Sequence, residues 1–139
     1  MIHRFFNQTR HVIVVIYDGA ITEKFIGAYE KFIHESFASL RDGEKIVNIT
    51  DLSRGKITSS NVTQRLADLT EQYKSQTEMI YITGMSAFIR ILYKSYLRIV
   101  GNHEIHMIAK EPLNIICERF NIETPHVYFD LHNESSLKH

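Results

Sequence analysis

At 139 residues and 44% hydrophobic, the chain is long enough for one domain with a real core and short for two. Its 16 basic and 16 acidic residues cancel, so no global field draws it to nucleic acid or to an anionic membrane. The single cysteine excludes an internal disulfide and suits a reducing compartment, and no apolar run is long enough to span a bilayer.

The opening MIHRFFNQTRH has no apolar core of signal-peptide length, which leads us to expect a cytoplasmic protein. Ile2–Phe6 and His11–Tyr17 flank a turn at Asn7–Arg10 and predict an antiparallel hairpin. Val12–Ile16 is continuously apolar, as an inner strand buried on both faces would be, and Asp18-Gly19 ends it. Thr22 then caps a helix with Glu23 in its first turn. Phe25, Tyr29, Phe32, Ile33 and Phe37 recur there at helical spacing, while Glu30, Lys31 and Glu35 face water. Arg41–Glu44 closes this helix.

Lys45–Thr50 predicts the next inner strand, carried by Ile46, Val47 and Ile49. A polar turn containing Gly55 follows, and the cluster Thr58-Ser59-Ser60 opens a second helix running to Tyr73. Val62, Leu66, Leu69 and Tyr73 form its apolar stripe; Gln64, Arg65, Asp68, Glu71 and Gln72 form its wet face. Met79–Thr83 is another inner strand, turned by Gly84-Met85-Ser86 into a third helix. That helix is apolar over far more than half its circumference, from Phe88 to Val100. Ile105–Ala109 predicts a last inner strand. Pro112 fits the first turn of a fourth helix, whose Leu113, Ile116, Cys117 and Phe120 make a core stripe with an inert thiol.

Residues 1–125 are thus expected to form one α/β domain. Residues 126–139 are a C-terminal extension, with His126–Asp130 an edge strand or short helix and a frayed polar end. Strands alternating with helices imply mainly parallel pairing and right-handed crossovers. The expectation is a mixed sheet, opened by a hairpin, with about four helices packed against it.

The junction between the second strand-helix pair also carries a resemblance. Asp51-Leu52-Ser53 followed by Ile57-Thr58-Ser59-Ser60-Asn61-Val62 resembles the signature of STAS domains, found in anti-sigma-factor antagonists and sulphate-transporter tails. That pattern is a strand, D-(L/F)-S, a short loop, then apolar-D-S-S-G-L at a helix start; Thr58 stands where the family has Asp, and Asn61 where it has Gly. The resemblance implies a non-enzymatic regulatory module, a phosphoacceptor at Ser59 beside Ser60, and a kinase-like anti-sigma-factor partner released by phosphorylation. A phosphate there adds about −1.5 to −2 charges at the positive end of a helix dipole. The alternative is that these hydroxyls only cap the helix. Asp51 and Ser53 are suited to holding the turn by bonds to the backbone.

Arg90, Lys94 and Arg98, spaced i, i+4, i+8, make a basic ridge on the third helix. With Thr58, Asn61 and Arg65 they are the candidate partner surface, and the breadth of apolar residues around the ridge favours a protein partner or a homodimer. A second reading is a small-ligand or lipid-binding module, since some STAS-like domains resemble the lipid-carrying CRAL-TRIO fold; the third helix then lines a cavity. No metal, cofactor or catalytic set is expected. Strand alternation sends His103 and His106 to opposite faces, and no Ser–His–Asp or Cys–His constellation follows from spacing. Gly84-Met85-Ser86 falls far short of a P-loop. The acidic pocket of a phosphoaspartate receiver is missing, because the relevant strands end in Tyr17-Asp18-Gly19 and Thr83-Gly84.

Overall fold

The computed structural model describes residues 2–7, 10–57, 60–100 and 103–124. Five strands lie in one sheet in chain order: β1 (Ile2–Asn7), β2 (Arg10–Ile21), β3 (Ile46–Ile57), β4 (Thr77–Thr83) and β5 (His106–Ile108). β1 runs antiparallel to β2, and the other neighbours are parallel. The helices are α1 (Glu23–Ala38), α2 (Ser60–Tyr73), α3 (Ala87–Val100) and α4 (Leu113–Arg119).

The apolar run in β2 explains the layering. Ile13, Val15 and Tyr17 point to a core shared with α1 and α2, whereas Val12, Val14 and Ile16 point to a second core closed by α4. A strand buried on both faces has no use for alternation with polar residues, which is why Val12–Ile16 shows none. Local chemistry fixes the helix entries. The Phe25 N–H donates to Thr22 Oγ1 at 3.2 Å, and the Ile89 N–H to Ser86 Oγ at 3.2 Å.

Three expectations are corrected. Asp18-Gly19 does not end β2, and the segment after Thr50 is not a turn. Both strands continue, pairing Asp18 with Arg54 and Ile21 with Ile57 after an irregularity between Ile16 and Asp18. The extension is a two-stranded ribbon with Asp18, Gly19, Ala20, Ser53, Arg54 and Lys56 exposed, so its polarity reflects solvent rather than a turn. Arg54 Nε lies 3.4 Å from Asp18 Oδ1 across it. Gly55 lets the ribbon close, since a Cβ there would sit 2.6 Å from the Tyr17 Cβ. The third correction concerns Ile105–Ala109: β5 is only three residues long, and it is the last strand of the sheet among the described residues. The extension 126–139, with its expected strand or helix at His126–Asp130, lies outside the described residues. No helix of the described residues is long and apolar enough to cross a membrane.

Candidate functional site

The site begins with two polar residues in a strand that should have none. Val47 and Ile49 of β3 face the α4 core, so the pleat turns Asn48 and Thr50 towards the face covered by α1, α2 and α3. There Thr50 Oγ1 donates to Asn48 Oδ1 at 2.7 Å, and Asn48 Nδ2 donates to Tyr29 Oη of α1 at 3.1 Å. Tyr17 stands edge-on to Tyr29, ring centroids 6.5 Å apart.

Above these groups the layers do not close. A cavity of about 140 Å³ remains between the sheet and α3, with Ile80 and Ile82 of β4 in its floor and Leu66 and Leu69 of α2 in one wall. α3 contributes the roof through Ile89, Tyr93, Tyr96 and Leu97. Tyr93 lies 6.3 Å from Tyr96 and 5.8 Å from His106, centroid to centroid. The Tyr96 hydroxyl oxygen is buried and has no hydrogen-bond partner among the described residues.

The phenols around this space are neutral. Burial pushes Tyr17 well above its ordinary value, reinforced by Tyr29 and Tyr93, and burial pushes Tyr29 up to about 12 against the opposing bond from Asn48. Tyr93 is raised by burial and then by Tyr96 and Tyr29, and Tyr96 by burial and then by Asp68. Among the described residues the cavity wall holds no carboxylate, Lys, Arg or Cys. Its chemistry is therefore that of a container: apolar walls with neutral hydrogen-bonding groups at one side. An apolar protein cavity of roughly 150 Å³ accommodates a benzene-sized molecule, and this one is of that size.

Among the described residues, the site residues singled out from sequence do not line this cavity. Thr58 and Ser59 lie outside the described residues, and Ser60 is the first residue of α2. Asn61 is exposed, its Nδ2 donating to Glu23 Oε1 at 3.4 Å. Arg65 is part-exposed and already paired within the chain. It turns onto α1, where its Nε donates to Glu30 Oε2 at 3.3 Å and its Nη2 to Oε1, because an arginine fork matches a carboxylate across a helix pair. Asp51 Oδ1 accepts the Ser53 N–H at 2.9 Å, within β3 rather than in a turn.

The basic ridge divides: Lys94 and Arg98 are exposed, whereas Arg90 is half-buried with an unpartnered, buried Nε. On the outer face of α3, Phe88, Ile91 and Leu92 are 68%, 65% and 51% exposed. Met85 lines the cavity, and Gly84 is pressed onto Ser53, which leaves the Gly84–Ser86 segment as a helix entry. Sequence reasoning missed Tyr17, Tyr29, Asn48, Thr50, Tyr93 and Tyr96. The available signal was the Asn/Thr alternation within a strand otherwise built for burial.

No family model matches the sequence, and no curated protein matches it. Among solved structures, the chain is similar to the crystal structure, at 2.25 Å, of an uncharacterised DUF3478-family protein with a SpoIIAA-like fold from Shewanella loihica PV-4. The TM-score is 0.57 at 12% identity, over 71% of this chain and 78% of that one. What is shared at that identity is the fold. The chain has a SpoIIAA-like mixed α/β fold, the STAS-type architecture implied by the Asp51–Val62 motif.

Proposed function

We propose that this chain is a non-enzymatic binding module that holds a small, mainly apolar molecule between its sheet and α3. The cavity of about 140 Å³, walled by aliphatic side chains and neutral phenols, is the observation that carries this reading. Native mass spectrometry of gently purified protein tests it, together with titration of an environment-sensitive apolar dye. The expected result is a co-purifying small mass or saturable dye binding, lost in Ala67→Met, which fills the cavity wall. A clean apo mass with no saturable dye response counts against the reading.

A second reading, favoured by the exposed Phe88, Ile91 and Leu92, is regulation by protein docking on the outer face of α3. In that role the partner is an anti-sigma-factor or kinase-like protein, or a second copy of the chain, and phosphorylation at Ser59 or Ser60 modulates capture. Phosphosite mapping after incubation with lysate and ATP, and capture by wild type against Ser59→Asp, tests the switch. Absence of phosphate with unchanged capture retires it. A reducing, cytoplasmic setting fits the lone buried thiol of Cys117.

A further inference from the structure

A second depression, of about 320 Å³, lies on the other flank of α3, between that helix and the edge strand β5. Three cations from two separate segments line it: Arg90 and Lys94, one turn apart on α3, and Lys110 just after β5. None of the three pairs with an acidic side chain among the described residues, whose ion pairs lie elsewhere, at His11–Glu44, Arg54–Asp18, Arg65–Glu30, Lys74–Glu71 and Arg119–Glu111. The whole chain has no net charge, so this is a local accumulation and not a share of a basic surface.

The second observation is Arg90 itself. Its Nε is buried and without an acceptor, although arginine is the side chain best able to form two parallel bonds to an oxyanion. A buried donor left without a partner is destabilising, and three like charges around one groove repel one another. An anion in the groove relieves that repulsion and can bond the guanidinium through its outer nitrogens. Its floor, from Leu97 and Ile108, is apolar, so the cations act with less competing water than on an open face.

We propose that the groove between α3 and β5 is a binding site for a phosphate-class anion, held by the Arg90 guanidinium and by Lys94 and Lys110 as point charges. Three cations suit one phosphate or diphosphate group and are few for the repeating charge of a nucleic acid. The groove adjoins the cavity under α3 and shares Leu97 and His106 with its wall, but its three cations do not line the cavity, and neither proposal depends on the other.

The test titrates the full chain with sodium pyrophosphate at constant ionic strength, reading the midpoint of thermal unfolding. The expected result is a saturable rise of a few degrees. Lys94→Gln and Lys110→Gln each weaken half-saturation about tenfold, and the double variant abolishes it; both lysines are exposed, so these variants keep the fold. Arg98→Gln, one turn further along the exposed face, leaves the titration unchanged. A parallel arm measures retention on phosphatidylcholine vesicles doped with phosphatidate. Retention lost in the double variant, without a response to soluble pyrophosphate, assigns the anion to a lipid headgroup. Silence in both arms overturns the site, as does an Arg98→Gln loss equal to that of Lys94→Gln.

Discussion

Replacing Gly84 by alanine tests how the β3 extension, β4 and the entry of α3 are locked together. Gly84 has φ 81°, and a Cβ built on it lies 2.4 Å from the Ser53 nitrogen and 2.7 Å from both Ser53 Cα and Cβ. Gly43 supplies the control, because its φ is 82° and nothing stands within 4 Å of its would-be Cβ. Both substitutions carry the left-handed cost of roughly 1–2 kcal/mol. Only Gly84→Ala also forces backbone apart, and overpacking adds about 1–3 kcal/mol. The totals are then about 2–5 kcal/mol against 1–2, for domains whose whole stability is roughly 5–15 kcal/mol. Urea unfolding reads the difference as a lower midpoint for Gly84→Ala than for Gly43→Ala at unchanged slope. Equal midpoints would falsify the packing of Ser53 against the α3 entry, and with it the extension of β3 beyond Thr50.

Three further outcomes are expected. Tyr29 is pushed to about 12 by burial and returns to about 10 on unfolding, so its contribution is complete below pH 10 and is lost as pH rises from 10 towards 12. Tyr29→Phe costs about 1 kcal/mol at pH 7 through the lost Asn48 bond and flattens the alkaline limb of stability; an equally steep limb refutes the assignment. Cys117 is fully buried and its thiol is raised by desolvation, so a thiol reagent is expected to stay idle on folded protein and to react at once in denaturant; rapid labelling of native chain contradicts that. Glu30→Gln removes the α1–α2 ion pair, but with side chains 26% and 36% exposed the loss is expected to stay below about 1 kcal/mol and to shrink with salt. A loss that grows with salt sinks the ion-pair explanation.

The elements legible from sequence were those whose burial is one-sided or complete. The α1 face from Tyr29 to Phe37, the α4 stripe from Leu113 to Phe120 and the run Val12–Ile16 each carry their period in the chain itself. The motif Asp51–Val62 pointed to the right architecture. What failed was the inference from polarity to a turn: Asp18 and Arg54 are polar because a ribbon projects into water, a distinction that depends on pairing across the fold. That α3 lines a cavity was legible from its apolar breadth, but which residues meet it there was not, for the same reason. Tyr17, Tyr29, Tyr93 and Tyr96 come from β2, α1 and α3, and their convergence is a property of packing between elements. Arg65 read as a solvated cation because its partner, Glu30, is supplied by another helix.

The circumference of α3 divides three ways. Ile89, Tyr93, Tyr96 and Leu97 roof the cavity, Arg90 and Lys94 enter the groove beside β5, and Phe88, Ile91 and Leu92 meet solvent. A roof over empty space lacks partner atoms on one side and forfeits the dispersion that a filled core provides. The small molecule of the proposed function would supply those atoms and so stabilise the seated α3. Under the proposed function, a partner that bound the seated helix better would also tighten the ligand, because such linkage is reciprocal. A helix apolar over so much of its circumference looks wasteful in a domain of this size, but it suits the proposed function, in which one element faces both a buried site and the surface.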